Sequence, residues 1–123
     1  MNATAKVETY AGIDVSKTSL DVGIMGETQV ERYSYDAAGI EAVVEVVQRH
    51  EPRCIVVEAT GDLEKELVTA LVVAGLPVAV VNPKRVRDFA RAAGRLAKTD
   101  RLDALILAQF GQVFRPALYQ AQN

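Results

Sequence analysis

The chain has 123 residues, half of them apolar, a net charge of −2, one cysteine and one histidine. That length suits a single domain, residues 1–123, able to bury about 65–70% of the surface its unfolded form exposes. The lone Cys54 rules out an internal disulfide, and the lone His50 all but excludes zinc sites and histidine-based triads, so any chemistry must rest on carboxylates, hydroxyls and bases.

In chain order, "MNATAKVETY" lacks the apolar core of a signal peptide, so a cytoplasmic location is the default. Residues 7–15 read as a first strand, with Ile13 and Val15 on one face and Tyr10, Gly12 and Asp14 on the other. A tight turn leads to "SLDVGIM", where Leu20, Val22 and Ile24 share a face, and "QVERYSY", 29–35, makes a third strand of an antiparallel meander. Ile40, Val43, Val44 and Val47 have helical spacing. "RCIVVE", 53–58, has the continuous apolar character of a buried central strand. A helix from about 62 to 74 carries Leu63, Leu67 and Leu71 and stops at Gly75, and "PVAVV", 77–81, is a fifth strand. The apolar run across these last two elements is broken by Thr69, Gly75 and Pro77, so it does not resemble a membrane span of ~20 residues, and no membrane partner is expected. After Pro83 come two helical pieces, the second starting near Asp100 with Leu102, Leu105, Ile106 and Gln109 on one side. Three strands, helix, strand, helix, strand, helix, helix is the order of a ribonuclease H-like (RuvC-like) fold, a mixed five-stranded α/β sheet with helices on both faces. Its first strand neighbours its fourth.

That adjacency has a chemical consequence, because it brings Asp14 near Glu58 at the end of "CIVVE". A carboxylate facing away from its apolar neighbours is costly to bury without a partner, and two that converge need a shared proton or a divalent cation. Asp100 and Asp103, three apart in "KTDRLDA", would point from nearly the same face of a helix. Four such carboxylates match two magnesium or manganese ions, which at ~3.5–4 Å separation serve phosphodiester cleavage or strand transfer. Each acid also has a structural reading: Asp14 as a turn cap, Glu58 beside a helix amino terminus, Asp100 and Asp103 as a capping-box-like start. Asp21, Asp36, Asp62 and Asp88 read as surface or cap residues.

Charge is segregated. Residues 1–83 carry thirteen acids and six bases, whereas "KRVRDFARAAGRLAKTDR", 84–101, carries seven bases and two acids. On a helix Arg87, Arg91, Arg95 and Lys98 form a stripe, which is either a solvated face or, with Lys84, Arg85 and Arg101, a phosphate-binding surface. Gly94 weakens a continuous helix there.

"GIDVSKTSLDV", "VVEATGDLEKEL" and "VAVVNPKRVRDFARAAGRLAKTDRLDALILAQF" together resemble the amino-terminal DEDD domain of the insertion-sequence transposases that include the Piv-type DNA invertases. The likeness covers residues 11–110, and the family's four acids fall on Asp14, Glu58, Asp100 and Asp103. The resemblance implies a RuvC-like catalytic domain acting on DNA by two-metal phosphoryl transfer, guided in many members by a structured RNA. It also implies a homo-oligomeric full-length protein whose further carboxyl-terminal domain carries a catalytic serine. On that expectation this chain is the RuvC-like part of a longer transposase and is inactive by itself. A RuvC-type Holliday-junction nuclease would keep the same acids. A non-catalytic nucleic-acid docking module would use only the basic stripe. An actin-like ATPase or sugar-kinase half-domain would need a glycine-bearing phosphate turn where this chain has "VSKTS".

Overall fold

A computed structural model describes residues 8–94 and 103–120. Its elements are β1 (Tyr10–Val15), β2 (Ser19–Ile24), β3 (Glu31–Ser34), α1 (Ala37–His50), β4 (Cys54–Glu58), α2 (Lys65–Val73), β5 (Val78–Val81), α3 (Pro83–Ala92) and α4 (Ala104–Phe114). They form one sheet of order β3-β2-β1-β4-β5, antiparallel from β3 to β1 and parallel from β1 to β5. β1 is therefore central and lies beside β4, as the element order predicts.

Strand alternation sorts the core into two layers. Ala11, Ile13, Val15, Leu20, Val22, Ile55 and Val57 face α1 and α2, meeting Ile40, Val43 and Val47 of the first and Leu67, Val68 and Leu71 of the second. Tyr10, Cys54, Val56, Ala79 and Val81 face α3 and α4, meeting Val86, Ala90, Ile106, Leu107 and Phe110. Because β4 is covered on both sides, it needs apolar residues at successive positions, which explains the unbroken "CIVV". Burial pushes the Cys54 thiol up to about 11, so it packs as a small apolar group, as the sequence suggests. His50 lies at the end of α1 within 3.8 Å of Glu27, remote from Asp14 and Glu58 in the fold.

The α4 side is built on close approach. A Cβ added to Gly12 would run into the Ala104 carbonyl oxygen and lie 2.6 Å from Leu107 Cβ. One added to Gly23, the residue paired with Gly12 across β1 and β2, would come within 2.9 Å of the same turn of α4. Farther along the helix, a Cβ at Gly111 would lie 2.7 Å from Val56 Cγ2 and 3.4 Å from Tyr10. α4 thus starts over the Gly12–Gly23 pair and reaches Val56 and Tyr10 with Gly111, crossing β1 from the β2 side to the β4 side. Its amino terminus therefore lies against Gly12, two residues before Asp14 on β1.

Three expectations need correction here. α4 begins at Ala104, not near Asp100, with Asp103 as an extended N-cap (φ −121°, ψ 173°) outside the helix. Of the side expected to pack, Ile106 is buried whereas Leu105 and Gln109 are only half-buried; the buried residues are Ala104, Ile106, Leu107, Ala108, Phe110 and Gly111, because the glycines let the first turns of the helix sink against the sheet. α3 likewise ends at Ala92, followed by Gly94 in the left-handed region (φ 70°), so only Arg87 and Arg91 of the stripe lie on that helix. Arg95, Lys98, Asp100, Arg101 and Leu102 fall outside the described residues.

Candidate catalytic site

The α4-facing side of the sheet carries a row of ionisable residues at one level. Asp14 on β1 pairs with Asp21 on β2, and Asp21 pairs with Arg32 on β3. On the other flank the parallel register runs Gly12 with Val56 and Ile13 with Val57, so the next step sets Asp14 beside Glu58. Glu58 pairs with Val81, which packs under α3 and α4, and this fixes Glu58 on the same face as Asp14. The parallel pairing of β1 with β4 therefore places two carboxylates together at the carboxyl ends of adjacent strands. Ligands in open α/β sheets bind at such strand ends.

The electrostatics agree with the geometry. Burial first, and then the charge of Asp14, raise the Glu58 carboxyl above its ordinary value, while Arg87 works in the opposite direction. Glu58 Oε2 is buried and has no hydrogen-bond partner among the described residues. A buried carboxylate oxygen without a donor, next to a second carboxylate, is a set of atoms suited to a proton or a cation. A divalent ion fits these two acids on that ground. Among the described residues no three histidine, cysteine, aspartate or glutamate side chains gather closely enough to hold a metal ion. Asp103 immediately precedes the turn of α4 that lies against Gly12, and its side chain caps that helix, Oδ1 accepting from the Ile106 N–H at 2.9 Å. The capping reading of Asp103 is thus observed, with its second oxygen not used by the cap. The amino-terminal dipole of α4 adds a positive field there.

Of the basic residues, Lys84 and Arg91 are drawn to Asp88, at 3.0 and 3.5 Å, and the Arg85 guanidinium lies over Phe110 and Phe114, 5.5 and 5.8 Å from the ring centres. Arg87 is exposed and is the base whose charge reaches Glu58. Three contributors escape a reading of residue types alone: Asp21, Arg32 and Glu64. Asp21 receives a two-pronged contact from Arg32, Nε to Oδ1 at 2.8 Å and Nη2 to Oδ2 at 3.1 Å. Glu64, 6% exposed, accepts from the Thr60 N–H and hydroxyl at 3.0 and 3.1 Å and so braces the loop that follows Glu58. The signal for Asp21 and Arg32 is register, since a tight turn at 16–18 sets Asp14 opposite Asp21. Glu64 offers no comparable signal.

A pH dependence follows from Glu58. In the unfolded chain it titrates near its ordinary 4.5, and in the folded one higher, so between those values the folded state binds more protons and stability falls as pH rises. Without added metal, Glu58→Gln should therefore gain melting temperature relative to the parent as pH is raised from 4 to 7. Melting curves that stay parallel across that range would show the shift absent.

Comparison with known proteins places these features. Residues 11–122 match the profile of the IS110-type DEDD transposase family, described as transposase. The pilin gene-inverting proteins of Moraxella bovis and Moraxella lacunata are each 26% identical over 122 residues, an alignment that covers 94% of this chain and 38% of theirs. The chain thus spans well under half the length of these relatives. Among solved structures, Thermus thermophilus RuvC in complex with a Holliday junction substrate superposes with a TM-score of 0.61 at 18% identity, covering 92% of this chain and 100% of that one. The shared element is the ribonuclease H-like fold.

Proposed function

Because the chain belongs to the IS110-type DEDD transposase family, we propose that its carboxylate face is the reaction centre of a DNA recombinase, with Asp14 and Glu58 as the first two metal ligands. The observation that carries this is the convergence of Asp14 and Glu58 from adjacent parallel strands, with Glu58 Oε2 buried and lacking a donor among the described residues. Asp103, delivered by the start of α4, and Asp100, which lies outside the described residues, complete the proposed set. A pair of magnesium or manganese ions, when bound, activates the attacking oxygen and stabilises the leaving one in phosphodiester chemistry. The chain's own part is to hold the acids on a rigid sheet, to keep Glu58 largely out of water, and to present cations to the substrate backbone.

DNA is the proposed partner. Arg87 on α3 stands beside Glu58 and is the best-placed phosphate contact, with Arg91 next along the same helix. Lys84, Arg85 and Arg91 serve as secondary contacts, since Asp88 and the phenylalanine rings already engage them, and Arg95, Lys98 and Arg101 extend the surface beyond the described residues. The chain is proposed to act as the RuvC-like domain of a longer transposase, in which a serine-bearing domain completes recombination. The greater length of the pilin gene-inverting proteins supports this. A guide RNA and a homo-oligomeric full-length protein belong to the same proposal, supported by the family resemblance, and the cytoplasm is the expected compartment for an enzyme acting on DNA. Among the described residues no helix is long and apolar enough to cross a membrane.

The nucleic-acid part is tested by anisotropy with a labelled duplex across a salt series. Arg87→Ala/Arg91→Ala should weaken binding and reduce the slope of log affinity against log salt by about 0.9 for each phosphate that is no longer neutralised. An unchanged affinity and slope would remove α3 from the interface.

A further inference from the structure

Asp14 has a carboxylate neighbour on each side of it. Glu58 stands on β4, and Asp21 stands directly opposite on β2. Residues directly opposed in an antiparallel pair hold their Cβ atoms about 4.5–5.5 Å apart, a spacing at which two carboxylates can share a cation. Asp14 and Asp21 therefore form a rival pair on the same face of the sheet, and a cation drawn to it would sit over β2, displaced from Glu58.

Arg32 occupies the next strand at the same level and engages both oxygens of Asp21. The Asp21 side chain is 20% exposed and that of Arg32 69%, so the carboxylate is the sheltered partner and the guanidinium closes it from the solvent side. The geometry is the two-pronged arginine–carboxylate fork, which fixes orientation as well as charge. Its cation is permanent: the hydrogen bond and charge of Asp21, with a further contribution from Asp14, raise the guanidinium above its already high ordinary value. Resting on the reaction-centre reading above, we propose that Arg32 is a positioning residue that withdraws Asp21 from the carboxylate site, so that the cation taken by Asp14 is shared with Glu58 and not with Asp21. The Arg32–Asp21 pair cancels its own charge, so Asp21 does not compete with Glu58 for an ion drawn to the row.

Calorimetric titration with manganese alone tests this on the parent chain and on Arg32→Gln, Arg32→Lys and Asp21→Asn/Arg32→Gln. Freeing Asp21 adds its charge to the row and opens a second pair on Asp14, so Arg32→Gln should bind manganese on the order of tenfold more tightly, following the dependence of affinity on ligand charge. The double variant should return to the parent value. Arg32→Lys keeps the charge and loses the fork, so it should fall between. A simple structural role for Arg32 would weaken binding in Arg32→Gln and would not be reversed by Asp21→Asn. Should Arg32→Gln bind as the parent does, while Asp14→Asn abolishes parental binding, the positioning role is wrong and the reaction centre stands. If instead Asp14→Asn binds like the parent, the reaction centre itself fails, and Arg32 loses its proposed role with it.

Discussion

Gly12→Val should be the most damaging single change on the α4 side of the sheet. Even the first carbon of a side chain at this position would collide with the Ala104 carbonyl and sit 2.6 Å from Leu107 Cβ and 2.7 Å from the Ala108 nitrogen. Two of these are backbone atoms of α4, which cannot move aside by a change of rotamer. The helix must lift, and with it the buried Ala104, Ile106, Leu107, Ala108 and Phe110 that close the second core layer. Overpacking a well-filled core costs about 1–3 kcal/mol, and a branched side chain against backbone belongs at or above the upper end of that range. Gly12→Ala already carries the colliding carbon and should cost most of that amount, with valine adding its two methyl groups on top. Urea unfolding followed by circular dichroism measures both, and a valine variant as stable as the parent would mean that α4 does not seat on Gly12. The same displacement would carry Asp103 away from the Asp14 end of the sheet, so a glycine set two residues before an acid serves the site as well as the core.

The second large effect is a reversal. Without metal, Asp14→Asn should be at least as stable as the parent, because it removes a charge that disfavours ionised Glu58. With saturating magnesium the order should invert. Ligand binding stabilises the folded state by RT ln(1 + [L]/Kd), about 2.7 kcal/mol at one hundred times Kd, which corresponds to a rise on the order of 10 °C in melting temperature for a domain of this size. The parent should show this rise, and Asp14→Asn little of it. Four melts decide the matter, and equal shifts in both proteins would mean that magnesium stabilises the fold from elsewhere.

Much of this architecture is legible in the sequence because the responsible signals are local. Alternation places Ile13 and Val15 on one face and Asp14 on the other, and the unbroken "CIVV" marks a strand covered twice. The meander followed by helix–strand repeats implies the β1–β4 pairing, and with it the approach of Asp14 to Glu58. What local signals do not carry is how deeply one element sinks into another. Nothing in "LDALILAQF" announces that Gly12 and Gly23 let α4 settle until Ala104 touches the sheet, so its buried side and its start at Ala104 differ from expectation. Asp21 and Arg32 are legible only through register, which requires the β1–β2 turn to be read as a pairing and not merely as a break. The basic stripe departs from its expected form for a related reason. Its spacing assumes one helix, whereas Gly94 ends that helix early, and Asp88, Phe110 and Phe114 engage three of the four bases on α3.

The claim that Asp14 and Glu58 jointly hold a divalent ion is tested most directly by titrating manganese, followed by calorimetry, into the parent, Asp14→Asn, Glu58→Gln and Asp62→Asn. Asp62 serves as the control because it is a highly exposed acid of the loop after Glu58 whose charge is paired with Lys65 at 2.9 Å. The parent and Asp62→Asn should give the same saturable isotherm, and each of the other two variants should lose it. An isotherm that survives Asp14→Asn unchanged would contradict the site.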